Sequence, residues 1–228
     1  MSVDQAEKLR QLVNARAQGG TAPSREAACS PRRARVVAFT SGKGGVGKTN
    51  LAVGYSIVAA QLGKKVVLLD ADLGLANVDV ILNLRAPYNI AHVVTGKKRL
   101  GEVLQPAAGG ILVLPGASGL SNMADLDDAN RQRLFEKLEY IEQKVDCFVI
   151  DTGAGISRNV VRFLLCADEV MVVCTTEPTS IADAYAMIKV LSRHEEVATV
   201  KLLVNMVDSS KQAAAVADSI VENCRQFL

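Results

Sequence analysis

Several features are scarce in this 228-residue chain, and each scarcity closes off a class of protein. The five cysteines, Cys29, Cys147, Cys166, Cys174 and Cys224, include no C-x-x-C pair. That argues against a disulfide framework, a closed metal site or an iron–sulfur carrier, and the thiols read as buried, reduced core residues. The two histidines, His92 and His194, stand beside no partner that suggests catalysis and read as surface or helix-end residues. Met1 leads into the polar "SVDQAEKLRQ", which has no apolar core of a leader, and no window approaches the ~18 unbroken apolar residues of a spanning helix. The expectation is a cytoplasmic chain. Strong charge is missing as well. The net charge is +2; residues 1–35 carry +4 and the remainder −2, so the domain is no strong polyanion binder and nucleic acid is not an expected partner.

What is abundant is apolar residue, at 49%, ample for one well-buried domain with an appended arm. Residues 4–17 place Leu9, Leu12 and Val13 at helical spacing, which predicts a short amphipathic helix within 1–20. Residues 21–34, rich in Gly, Ala, Pro, Ser and Arg, read as a flexible basic tether. The domain proper spans 35–228. In it, β-branched runs at 36–40, 65–70, 111–116, 147–151, 169–175 and 200–205 alternate with helix-like segments at about 48–62, 127–143, 156–166, 180–194 and 211–228. Wholly apolar strands alternating with helices predict an α/β doubly wound, mainly parallel sheet with helices on both faces. Ligands of such sheets bind outside the carboxyl ends of the strands.

Glycines and acids collect at those ends. Gly42-Lys43-Gly44-Gly45-Val46-Gly47-Lys48-Thr49, followed by Asn50, fits G-x-x-x-x-G-K-[ST] between a strand and a helix. Consecutive N–H groups of such a loop curl around phosphate, Lys48 neutralises the β- and γ-phosphates, and the Thr49 hydroxyl ligates Mg²⁺. Lys43 is not needed to hold one nucleotide, so it is either a solvated charge or a second phosphate contact. Asp151 ends the run "CFVID" where a metal-side carboxylate is expected, with Gly153 and Gly155 making the following loop mobile. The segment "LLDADLGLANVD" (69–79) offers Asp70, Asp72 and Asp79. Asp72 lies beyond the strand, where it could orient water, whereas Asp79 could cap or face solvent.

Together, "KGGVGKT", "DADLGLANVD" and "IDTGAG" resemble the deviant Walker A ATPases of the MinD/ParA type, SIMIBI-class phosphate-loop NTPases. Within that type, "DTGAGIS", "TEPTSIADAYAMIKVL" (176–191) and "DQAEKLRQLV" (4–13) are most similar to the flagellar regulators called FlhG, FleN or YlxH. The resemblance implies an ATP-dependent homodimer in which Lys43 reaches the nucleotide of the other subunit. It also implies that Lys48 and Thr49 hold phosphates and Mg²⁺, that Asp72 aligns the hydrolytic water, that Asp151 is the metal-side carboxylate and that Asn205 contacts adenine. Asp4, Gln5, Ala6, Leu9 and Arg10 would stimulate an SRP-type GTPase, FlhF. A flagellar transcription regulator or motor-ring protein is a further implied partner. Relatives carry a carboxy-terminal strand and a membrane-binding helix beyond the segment that ends here at Leu228, so inner-membrane recruitment is expected only of a complete chain. The stripe Ile220, Cys224, Phe227 and Leu228 is expected to pack on the sheet. Many relatives have Pro where Gly153 stands, which weakens a role in DNA partition or division-site placement. A small-molecule ligase on the same scaffold would need longer insertions, and a GTPase would need a lysine between Asn205 and Asp208.

Overall fold

The computed structural model describes residues 34–72, 76–116, 128–194 and 199–228; the expected arm and tether, and with them Asp4, Gln5, Ala6, Leu9, Arg10 and Cys29, lie outside the described residues. In chain order the elements are β1 (Arg35–Ser41), α1 (Lys48–Gln61), β2 (Val66–Ala71), α2 (Val78–Ile81), α3 (Ile90–Val94), α4 (Leu100–Val103), β3 (Gln105–Pro106), β4 (Leu112–Leu114), α5 (Asp128–Glu142), β5 (Cys147–Ala154), α6 (Arg158–Leu165), β6 (Glu169–Cys174), α7 (Pro178–Leu191), β7 (Val200–Val204) and α8 (Ser210–Phe227). The strands form one sheet in the order β3-β4-β2-β5-β1-β6-β7, parallel throughout except for the β3–β4 edge.

Alternation along the strands builds two cores. Val36, Ala38, Val67, Leu69, Phe148 and Ile150 face one side, where Leu138 of α5, Phe163 and Leu164 of α6, Met187 of α7 and Ile220 of α8 cover them. Val37, Phe39, Val66, Leu68 and Val149 face the other, under Ala52 and Val53 of α1. Because both faces are covered, β1 and β2 read as continuous apolar runs rather than as alternating ones.

Some expectations needed correction. β3 and the short helices α2, α3 and α4 were not foreseen; pieces of two to five residues carry no periodic signal. β5 does not stop at Asp151 but runs on to Ala154, pairing Asp151 with Phe39 on one side and Asp70 on the other. The Gly155 N–H then donates to the Ser41 carbonyl at 2.8 Å, so Gly153 lies in strand and the segment expected to be a loose loop is held to the sheet. Cys147 and Cys174 are buried, Cys224 partly so, but Cys166 at the end of α6 is exposed. Of the carboxy-terminal stripe, Ile220 is buried and Cys224 packs against the core, while Phe227 and Leu228 face solvent. His92 takes part in the capping box that starts α3 with Asn89.

Candidate active site

The sheet order brings four carboxyl ends together. The phosphate-binding sequence follows β1, Asp72 follows β2, Asp151 to Gly155 sit at the end of β5, and Asn205 follows β7. Between them opens a cavity of about 530 Å³ lined by Gly44 to Asn50 on one side and by Asp72, Asn77, Val80, Ile81 and Met206 on others. This is the crevice position that a doubly wound sheet predicts.

The loop's shape follows from its glycines at two places. Gly47 has φ +86°, and a Cβ there would come within 2.4 Å of the Asn205 side-chain nitrogen. At Gly42 a Cβ would come within 2.5 Å of Asp183 on α7, so the loop's first residue lies directly against a helix. α1 then begins at Lys48 with no side-chain cap and no acid in its first turn. Its orphan N–H groups and the positive end of its dipole face the cavity, an arrangement that favours anions.

Lys48 is buried and its ammonium donates to Asp151 Oδ1 at 2.7 Å, with Thr49 Oγ1 at 3.5 Å. Burial pushes the Asp151 carboxyl up; Lys48 and the Thr49 hydroxyl oppose that shift. Asp72 approaches Gly153, where a Cβ would lie 3.4 Å from Asp72 Oδ1. Adjacent, parallel strands, β2 and β5, therefore deliver Asp72 and the β5 glycines to one spot. Asp70 is not beside them in role. Buried at the end of β2, it accepts N–H groups from Asp72 at 3.1 Å, Asn77 at 3.0 Å and Val78 at 3.1 Å. Burial pushes its carboxyl up to about 6, Asp151 adding and the three amides opposing. Asp79 accepts from the neighbouring Val80 N–H at 2.8 Å.

Lys43 does not point into the cavity's phosphate end. Its ammonium pairs with Glu177 at the start of α7 and lies 3.3 Å from Thr179 Oγ1. Asn205 donates from its side-chain nitrogen to the Val46 carbonyl at 2.9 Å, and its own N–H donates to the Cys174 carbonyl at 2.8 Å. Three participants escaped the sequence reading: Asp70 as a loop organiser, Glu177 as the Lys43 partner, and Met206, which lines the cavity. Only Asp70 left a sequence signal, as an acid inside an otherwise apolar strand.

The donors present fit Mg²⁺. A hydroxyl and carboxylates are hard oxygen ligands, and the place that a cation would share with them is held here by the Lys48 ammonium. Among the described residues there is no cluster of three or more His, Cys, Asp or Glu that could hold a metal by itself. That also suits Mg²⁺, which takes one or two protein ligands and the rest from phosphates and water.

The AAA_31 family profile, described as "AAA domain", matches residues 34–204. Over 194 residues the chain is 42% identical to the antiactivator FleN of Pseudomonas aeruginosa, covering 85% of this chain and 69% of that protein. It is 37% identical to the flagellum site-determining protein YlxH of Helicobacter pylori, covering 79% of this chain and 61% of that one. Against these curated relatives the chain thus spans roughly two thirds of their length. Among solved structures, a chain of the MinC:MinD cell division protein complex of Aquifex aeolicus superposes with a TM-score of 0.69 at 31% identity, over 83% of this chain and 77% of that one. The cell division ATPase MinD of Pyrococcus furiosus superposes with a TM-score of 0.71 over 82% of this chain and 79% of that one; at 24% identity it speaks to the fold alone. On this evidence the chain belongs to the AAA_31 family and, within it, to the MinD/ParA-type ATPases.

Proposed function

We propose that this protein is an ATP-dependent dimerising switch that regulates flagellar number and placement. The observation that carries the reading is the buried Lys48–Asp151 pair facing the uncapped start of α1, in a chain 42% identical to an antiactivator. Triphosphate would draw the Lys48 ammonium off Asp151 toward the β- and γ-phosphates, against the N–H groups of residues 44 to 49. Asp151, relieved of Lys48, and the Thr49 hydroxyl would then hold Mg²⁺, which supplies neutralisation of charge on the transferred phosphoryl group. Asp72, already against Gly153, would orient the attacking water. Because the Lys43 ammonium is paired at the start of α7 of its own chain, it would leave Glu177 to reach the nucleotide of a second copy. Dimerisation would then be coupled to triphosphate and slow hydrolysis would act as a timer.

Residues 1–20 would stimulate an SRP-type GTPase of the FlhF kind, with 21–34 as tether and 35–228 as the ATPase domain. Inner-membrane association, and contacts with a transcription regulator or motor-ring protein, belong to the same reading of a complete chain. Light scattering during size exclusion, with Mg-ATP and with Mg-ADP, tests the core of it. A dimer seen only with ATP, and lost in Lys43→Ala, is the expected result; a monomer in every condition would refute the dimerising switch. For the arm, deletion of residues 2–20 should abolish stimulation of the cognate GTPase.

A further inference from the structure

A second cavity, of about 400 Å³, opens at the other end of the sheet. Lys65 before β2, Leu112 at the start of β4 and Val145 before β5 line it, so it lies at the amino ends of strands whose carboxyl ends frame the nucleotide crevice. Its origin is local. α3 packs against both α4 and α5, and the lining includes Gly101 and Gly110, which supply no side chain; a Cβ at either would meet nothing within 4 Å. The rest of the lining is mostly apolar. Val67 and Ile141 belong to the core, and Leu100, Leu104, Leu112 and Val145 pack against it half-buried. A concave apolar space of this size with a few polar groups at one side is the usual form of a small-molecule site.

The charges at the cavity are all of one sign. Lys65 and Lys144 line it, both exposed, and no carboxylate does so among the described residues. The backbone holds the two lysines as neighbours: the Lys65 carbonyl accepts the N–H groups of Asp146 at 2.9 Å and Cys147 at 3.1 Å, two and three residues past Lys144. Neither ammonium forms an ion pair among the described residues. Asp146, the acid nearest in sequence, accepts the Lys65 backbone N–H at 2.8 Å instead. The Lys144 ammonium lies 5.5 Å from the centre of the Tyr140 ring, itself 55% exposed. In a domain that carries −2 overall, two unpaired cations beside an apolar cavity depart from the surface average. We propose that this cavity binds a small amphiphilic carboxylate, its apolar chain or ring among the leucines and its carboxylate between Lys65 and Lys144. Burial of the apolar part supplies affinity, and the two ammonium groups, on stems that can lie along the apolar wall, select the anion. The site is separate from the nucleotide crevice and does not rest on the nucleotide reading.

Decanoate, below the concentration at which it forms micelles, serves as the probe, with decyltrimethylammonium as the cation of the same chain length. Both lysines are exposed, so Lys65→Gln/Lys144→Gln stays folded. Isothermal titration should show saturable binding of one decanoate to wild type, about three- to tenfold weaker binding to the double variant and none of the cation. Methyl spectra should place the largest shifts at Leu100, Leu104, Leu112 and Ile141. Absence of saturable binding to wild type would overturn the proposal. So would equal affinity in the double variant, equal binding of the cation, or shifts centred on Val46 and Met206 in the nucleotide crevice. Co-sedimentation with phosphatidylglycerol vesicles that the double variant abolishes, without binding of free decanoate, would assign the lysines to a bilayer surface and overturn the small-ligand site.

Discussion

Removing Lys48 should unfold this protein more easily for a reason unconnected with nucleotide. The Lys48 side chain is 9% exposed and that of Asp151 1%, and their contact is 2.7 Å. Lys48→Met keeps the aliphatic stem and leaves Asp151 as an uncompensated buried carboxylate. Breaking a buried pair in this way costs about 3–5 kcal/mol; the adjoining cavity admits water, which places the expected loss near ~3 kcal/mol. In a domain of this size each kcal/mol moves Tm by about 2–4 °C, so the variant should melt roughly 10 °C lower without nucleotide. The pH dependence gives a second signature. Burial already pushes Asp151 up and Lys48 opposes it, so loss of Lys48 raises the carboxyl further. A raised carboxyl contributes its stability below the unfolded pKa and loses it as pH rises through the folded one. The deficit should therefore shrink on acidification from neutral pH, and Lys48→Met/Asp151→Asn should recover at least half of it at neutral pH. Urea denaturation of the two variants and wild type decides the matter. A single variant as stable as wild type, or a double variant no better than the single, would refute the buried-charge account.

Three further expectations follow from the same geometry. Gly42→Ala drives a Cβ to 2.5 Å from the Asp183 backbone and should cost about 1–3 kcal/mol in denaturant, whereas Gly44→Ala, with nothing within 4 Å, should cost little. Asp70, pushed up to about 6 from 3.8, contributes stability that is complete below about pH 4 and is lost as pH rises to about 6. Asp70→Asn should flatten that slope in pH-dependent unfolding. Finally, Asp72→Ala should leave ATP-dependent dimers intact while abolishing phosphate release; normal turnover would remove Asp72 from the mechanism.

The alternating elements and the phosphate loop were legible in the sequence because both are local. A strand buried on both faces must be apolar at every position, as in residues 66–69, and eight consecutive residues suffice to specify an anion-binding loop. The sequence also offered Lys48 through the loop motif, and Asp72 and Asp151 because charge at or just beyond the end of an apolar strand is unusual. Which of several acids does what was beyond it. Asp70 and Asp72 are two residues apart, yet one turns inward to hold three backbone amides and the other lies against Gly153. Lys43 meets Glu177 across 134 residues and Asn205 meets Val46 across 159, contacts that no periodicity encodes. Only the sheet order β2-β5-β1-β6-β7 decides them, because hydrogen-bonded strands carry distant loops to one edge. Composition and pattern determined that phosphate could be bound; tertiary structure decided what surrounds it.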